Sequence, residues 1–210
     1  MFELWGRLYA RSISGPDAGL ADARLAVVPD FPPPTQRVIE AAARKGVQLD
    51  VVLFEESTHT AAEAATAVGA EVGQIVKSLV FVAPGVDPET DGLRPCLVLV
   101  SGANTVDLAL LSAALTEPNM RRATADEARE LTGFSIGGIP PFGHRQAIRT
   151  VMDPDLARYE TIWAAAGTAN AVFPVSPATL RVLANAVVTP VTVVRQAPSE
   201  QHAAGASTGA

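Results

Sequence analysis

Cysteine is nearly absent from this chain: its 210 residues include one, Cys96. A single thiol excludes an internal disulfide and is consistent with a reducing, cytoplasmic setting. Lysine is as scarce, with Lys45 and Lys77 against 14 arginines, and aromatics make up only 5%. No apolar run approaches the ~20 residues that span a bilayer, and the start, Met1-Phe-Glu-Leu-Trp-Gly-Arg7, lacks the basic-then-apolar layout of a signal peptide. Neither a membrane role nor a secretory one is expected. Net charge is −6 with a pI near 5.1, which argues against a nucleic-acid coat or DNA binding. It leaves room for a local basic mouth, for which Arg121-Arg122 and His144-Arg145 with Arg149 are the clusters. The commoner reading of each is solvated surface.

What is present is a globular composition, 48% apolar and rich in alanine, long enough for one domain with extensions. Residues 1–34, ending in Pro32-Pro33-Pro34, read as an irregular arm, 35–195 as the domain and 196–210 as a disordered tail. Val38, Ile39, Ala42 and Ala43 form a helical stripe closed by Gly46. Strands are expected over Val47–Phe54, Ile75–Ala83, Cys96–Val100, Ile148–Met152, Thr161–Ala165, Ala171–Phe173 and Val187–Val194. Capping boxes at Thr60-Ala-Ala-Glu63 and Thr124-Ala-Asp-Glu127 open two helices. Asn104 or Thr105 can cap a third through Leu115, and a fourth runs from Pro177 to Ala184. Strands and short helices without βαβ regularity indicate α+β with a mixed sheet.

Two features could carry chemistry. The loop Thr132-Gly-Phe-Ser-Ile-Gly-Gly-Ile-Pro-Pro-Phe-Gly-His144 combines glycines with prolines and large apolar residues, which describes a rigid, specially shaped segment. It lacks the Gly-Lys-Ser/Thr of a Walker loop and the helix that a dinucleotide fingerprint needs after its glycines. It is either a structural turn or an array of backbone donors for a carbonyl oxygen. Lys77 shares a strand face with Ile75, Leu79 and Phe81, so its ammonium must find a partner, reach solvent or serve a ligand. His59, Cys96, His144 and His202 have no metal-ligand spacing, and no Gly-x-Ser-x-Gly elbow occurs. Neither a metal nor a cofactor is expected.

Gln74-Ile-Val-Lys77-Ser-Leu, Gly102…Val106-Asp-Leu, the Gly/Pro loop to Pro141, Met152-Asp-Pro and Ala166-Gly167, in that order, resemble the YbaK / prolyl-tRNA-synthetase-associated editing-domain family over roughly Thr35–Val194. The resemblance implies a mixed, partly closed β-sheet surrounded by short helices. It also implies a hydrolase of the ester that joins a wrong amino acid to a tRNA 3′ end, with the tRNA acceptor end and an aminoacyl-tRNA synthetase as partners. By position, Lys77 would hold the terminal nucleotide or phosphate, and N–H groups around Gly137 and Gly138 would polarise the carbonyl. His59, Ile139, Pro141, His144, Ala166, Gly167 and Thr168 would contact substrate, and water would attack, aligned by a ribose hydroxyl. The chain departs from the family at Pro140, usually Ser, Thr or Gly, at Ala166, usually Gly, and at Val172, acidic in some relatives. Two other readings of the same residues are a non-catalytic pocket for an amino acid, nucleotide or synthetase, and a hydrolase of another small ester or thioester.

Overall fold

A computed structural model describes residues 31–55, 57–58, 60–85 and 92–193. Its centre is the antiparallel pair β2 (Val76–Pro84) and β3 (Leu93–Ser101), in register from Val76 against Ser101 to Pro84 against Leu93. Both strands are almost continuously apolar because both faces are covered. Val76, Val80, Val82, Leu97 and Leu99 enter one core, and Phe81, Ala83, Cys96, Val98 and Val100 the other.

β5 (Arg121–Arg122) pairs antiparallel with β2, while β6 (Arg149–Met152) and β9 (Val187–Val188) continue from β3 in parallel. The five-stranded sheet is therefore mixed, in the order β5-β2-β3-β6-β9. A second sheet holds β1 (Val52–Leu53), β8 (Ala171–Val175) and β7 (Ile162–Ala165), and a third pairs β4 (Thr105–Val106) with β10 (Thr192–Val193). These ladders are open; a parallel bridge between Ile75 and Trp163 joins the first two, so the expected partial closure is one bridge wide.

Among the described residues five short α-helices surround the sheets: α1 (Pro33–Ala43), α2 (Ala61–Val68), α3 (Leu108–Leu115), α4 (Ala125–Thr132) and α5 (Pro177–Ala184). None of the described helices is long and apolar enough to cross a membrane. Thr124 and Glu127 close a complete capping box on α4, and the Thr60 hydroxyl accepts from the Glu63 N–H.

Four differences from expectation have a clear physical reason. α1 takes in Pro33 and Pro34, where a missing N–H costs a helix nothing, so the arm ends short of them. Val47–Phe54 is a strand only at Val52–Leu53; Val47, Leu49 and Val51 pack on the core without a ladder partner. α3 begins after Asp107, whose carboxylate caps Ala109 and Leu110, because Thr105–Val106 is already paired with β10. The strand expected at Val187–Val194 divides between two sheets around Thr189-Pro190, where proline has no N–H for a ladder. Val194, the tail at 196–210 and residues 1–30 of the arm lie outside the described residues.

Candidate functional site

The bridge at Ile75 holds α2 and β7 over the start of β2, while β5 and α4 cover its other end. Between them, along Ile75–Val80, lies a cavity of about 240 Å³. Its remaining walls are Ile136, Gly137 and Ile139 of the Gly/Pro loop and the turn at Thr168–Ala169. The lining is mainly apolar, and the charged residues among its described members are Lys77 and Arg122.

Lys77 is half-buried and donates from Nζ to the carbonyls of Gly102 (3.1 Å) and Asn104 (2.5 Å). Those carbonyls are themselves fixed. Asn104 is buried and donates from its amide to Asp155 (2.8 Å) and the Thr192 hydroxyl (3.3 Å). Asp153, also buried, accepts from the Val191 N–H and the Thr192 hydroxyl. The Met152-Asp-Pro segment thus braces the loop that holds the lysine, a role that spacing alone does not reveal.

The Gly/Pro loop is a turn in which the Gly138 N–H donates to Ser135 O at 3.1 Å. Gly137 occupies the third position with φ of 91°, where a type II turn calls for glycine. The Gly138 N–H is consequently engaged within the loop. The Gly137 N–H has no protein acceptor among the described residues and belongs to an exposed residue on the cavity wall. Gly138 has a different requirement: a Cβ there would stand 2.6–2.8 Å from the backbone of Thr168. The loop is also anchored from behind. Arg37 of α1 donates to Gly133 O (2.7 Å) with its guanidinium 4.3 Å from the Phe134 ring centroid.

The other candidates divide. Ile139 and Thr168 line the cavity. Pro141 is buried behind it. Ala166 is fully buried in the core, and Gly167 packs so closely on α1 that a Cβ would meet Pro34 O at 2.7 Å. Of that segment, Ala165 is the residue on the cavity. The His144 ring meets Phe134 edge-on, away from the cavity, and bonds Pro140 O at 2.8 Å. A carbonyl only accepts, so that Nε2 carries the proton; burial lowers the ring's pKa and keeps it neutral. His59 lies outside the described residues.

The cavity also takes in Arg122, from one of the two candidate basic clusters, and Trp163, whose direction spacing could not decide, while Thr58 and Ser78 were not singled out by the sequence. Thr58 ties to Ala169 O through both its N–H and its hydroxyl (3.1 and 3.0 Å). Ser78 Oγ is buried with no hydrogen-bond partner. The strand alternation that singled out Lys77 could have flagged Ser78 on the opposite face; nothing in the spacing points to Trp163. Among the described residues no three His, Cys, Asp or Glu side chains cluster as metal ligands.

Residues 55–183, more than half of the chain and the segment that builds this cavity, match the aminoacyl-tRNA editing domain. The chain belongs to the aminoacyl-tRNA editing domain family. It is 30% identical over 128 residues to the Bacillus subtilis protein YwhH, covering 61% of this chain and 76% of YwhH. Over 98 residues it is also 30% identical to the proline–tRNA ligase of Limosilactobacillus fermentum, spanning 17% of that enzyme's length. A crystal structure of a candidate trans-editing enzyme for prolyl-tRNA synthetase aligns with a TM-score of 0.70 and 45% identity, over 78% of this chain and 99% of that one. The editing-domain match therefore extends over the cavity's described lining, and supports a role for the chain in aminoacyl-tRNA editing.

Proposed function

We propose that the protein is a trans-acting deacylase that hydrolyses the ester of mischarged aminoacyl-tRNA. The observation that carries this reading is the meeting of Lys77 and Gly137, sixty residues apart, on one cavity in an editing-domain fold. Aminoacyl esters are labile, so positioning plus stabilisation of the developing oxyanion suffices without a side-chain nucleophile.

In this reading the acceptor end enters the cavity with its ester at Gly137. The Gly137 N–H donates to the carbonyl oxygen as water attacks. The ammonium of Lys77, positioned by the carbonyls of Gly102 and Asn104, lies beside the terminal nucleotide and the oxyanion. The ester C–O bond breaks, the leaving ribose oxygen takes one proton of the attacking water, and the amino acid leaves as its carboxylate with the other proton released to solvent. Ile139 and Thr168 bound the space for the acyl group. The similarity to a synthetase segment and to a candidate trans-editing enzyme supports tRNA, and a prolyl-tRNA synthetase, as partners.

One observation favours a second reading, a module that binds without turnover. Gly138 has used its N–H on Ser135 and Pro140 has none, so two positions of the loop offer a carbonyl no donor. A panel of tRNAs mischarged with Ala, Ser, Thr and Cys separates the two. Hydrolysis of at least one ester well above the buffer rate is expected; binding across the panel with no hydrolysis overturns the deacylase.

A further inference from the structure

The cavity follows β2 from Ile75 to Val80, a run of about 17 Å at ~3.3 Å per residue, and its two ends differ chemically. At the Ile75 end stand Ala61, Ala64 and Val68 of α2 with the half-buried Trp163, an apolar cluster. At the other end β5 lies against β2, with Arg122 opposite Phe81. Arg122 and its neighbour Arg121 are not equivalent. Arg121 grips both carboxylate oxygens of Glu127 (2.8 and 2.6 Å), whose pKa its guanidinium holds down at about 2. Arg122 is exposed, lines the cavity, and has no carboxylate within ion-pair distance among the described residues. No Asp or Glu is among the described residues of the lining. In a chain of net charge −6, a guanidinium with no carboxylate beside it among the described residues of the mouth is a local anion site.

Building on the deacylase reading, we infer that the cavity is two-ended: the acyl side chain occupies the α2–Trp163 end, and Arg122 takes a phosphodiester of the RNA's 3′-terminal strand at the other. The apolar end suits an uncharged side chain, because Ala61, Ala64 and Val68 of α2 face it together with Trp163. Arg122 matches a phosphate because its planar fork can donate two parallel N–H bonds to two oxygens. The arrangement fixes the direction in which the acceptor end lies across β2, with Lys77 and Gly137 at the ester and Arg122 on the incoming strand. Arg122 is then a binding residue, distinct from the groups at the ester.

The experiment compares wild type, Arg122→Ala and Arg122→Lys on the mischarged tRNA that is hydrolysed fastest and on the matching aminoacyl ester of adenosine, which has no phosphate. Arg122→Ala is expected to raise KM for the tRNA about fivefold at low salt, the worth of one solvated charge contact, with the larger effect in KM than in kcat. The slope of log KM against log salt should fall by about one, and Arg122→Lys should recover most of the loss. The adenosine ester should be hydrolysed alike by all three. An unchanged KM and salt slope for the tRNA, or an equal loss on the adenosine ester, overturns the phosphate assignment while leaving deacylation standing. If wild type hydrolyses neither substrate, the deacylase reading falls first and this inference with it. Thermal unfolding of Arg122→Ala should match wild type, since the bonds of this residue among the described residues are made by its backbone and not by its side chain.

Discussion

Replacing Gly138 by alanine tests whether contact between two loops shapes the cavity. The added Cβ would lie 2.6, 2.7 and 2.8 Å from Thr168 Cα, C and N, all of them backbone atoms that no rotamer change can move aside. Bringing the nearest to 3.4 Å, where ordinary contact begins, requires the Gly/Pro loop and the Thr168 turn to part by about 0.8 Å. The Thr168 turn cannot yield alone. Asn170 binds it to Phe54 O (3.0 Å) and Ala169 O receives Thr58, so the movement falls largely on Gly137 and Ile139. Overpacking of this kind costs ~1–3 kcal/mol. At ~2–4 °C per kcal/mol for a chain of this size, Tm should fall by roughly 2–12 °C. Displacing an oxyanion donor by nearly an ångström should lower kcat by on the order of 10²-fold. The assays are thermal unfolding and single-turnover deacylation, with Gly137→Ala as comparison. There the Cβ meets only Ala169 Cβ, at 3.5 Å, and the cost is the left-handed backbone, ~1–2 kcal/mol. Wild-type Tm and wild-type turnover in Gly138→Ala would refute the reasoning.

Burial pushes the Cys96 thiol up to about 12, so the native protein should resist thiol-specific labelling at pH 8 and react once denatured; stoichiometric labelling of native protein within minutes would contradict this. His144 is held neutral by burial, its folded pKa below the ordinary 6.5. The unfolded chain therefore takes up a proton at this ring first as pH falls through 6.5, so the stability tied to the neutral ring is complete above that pH and lost below it. Urea midpoints at pH 7.5 and 5.5 should differ more for wild type than for His144→Gln, and equal differences would remove His144 from the account.

Much of the fold was legible because the local signals were strong and agreed with the packing. The Thr124 capping box with Gly133 and the Pro177–Ala184 helix stand where their sequences put them. The β2–β3 pair was readable from its apolar runs. What was not legible depends on which backbone groups are already occupied. The two-residue β4 claims the start expected for α3, and Pro190 divides the final strand between two sheets. The same holds at the site. Lys77 and the Gly/Pro loop were visible as residue types in unusual settings, but that Gly138 spends its N–H on Ser135 depends on the closed turn. Arg121 and Arg122, adjacent and alike in sequence, part company because only one reaches Glu127. Trp163 enters the cavity through a pairing with Ile75 across 88 residues of chain, which no local pattern announces.

The central claim is that Lys77 and the Gly137 turn act together on an aminoacyl ester. Single-turnover deacylation of mischarged tRNA by purified wild type and Lys77→Ala, with Tm measured on both, tests it most directly. The account predicts rapid hydrolysis of at least one mischarged ester by wild type, and loss of that activity in a Lys77→Ala protein that still unfolds cooperatively. Hydrolysis by a folded Lys77→Ala variant at the wild-type rate would contradict it.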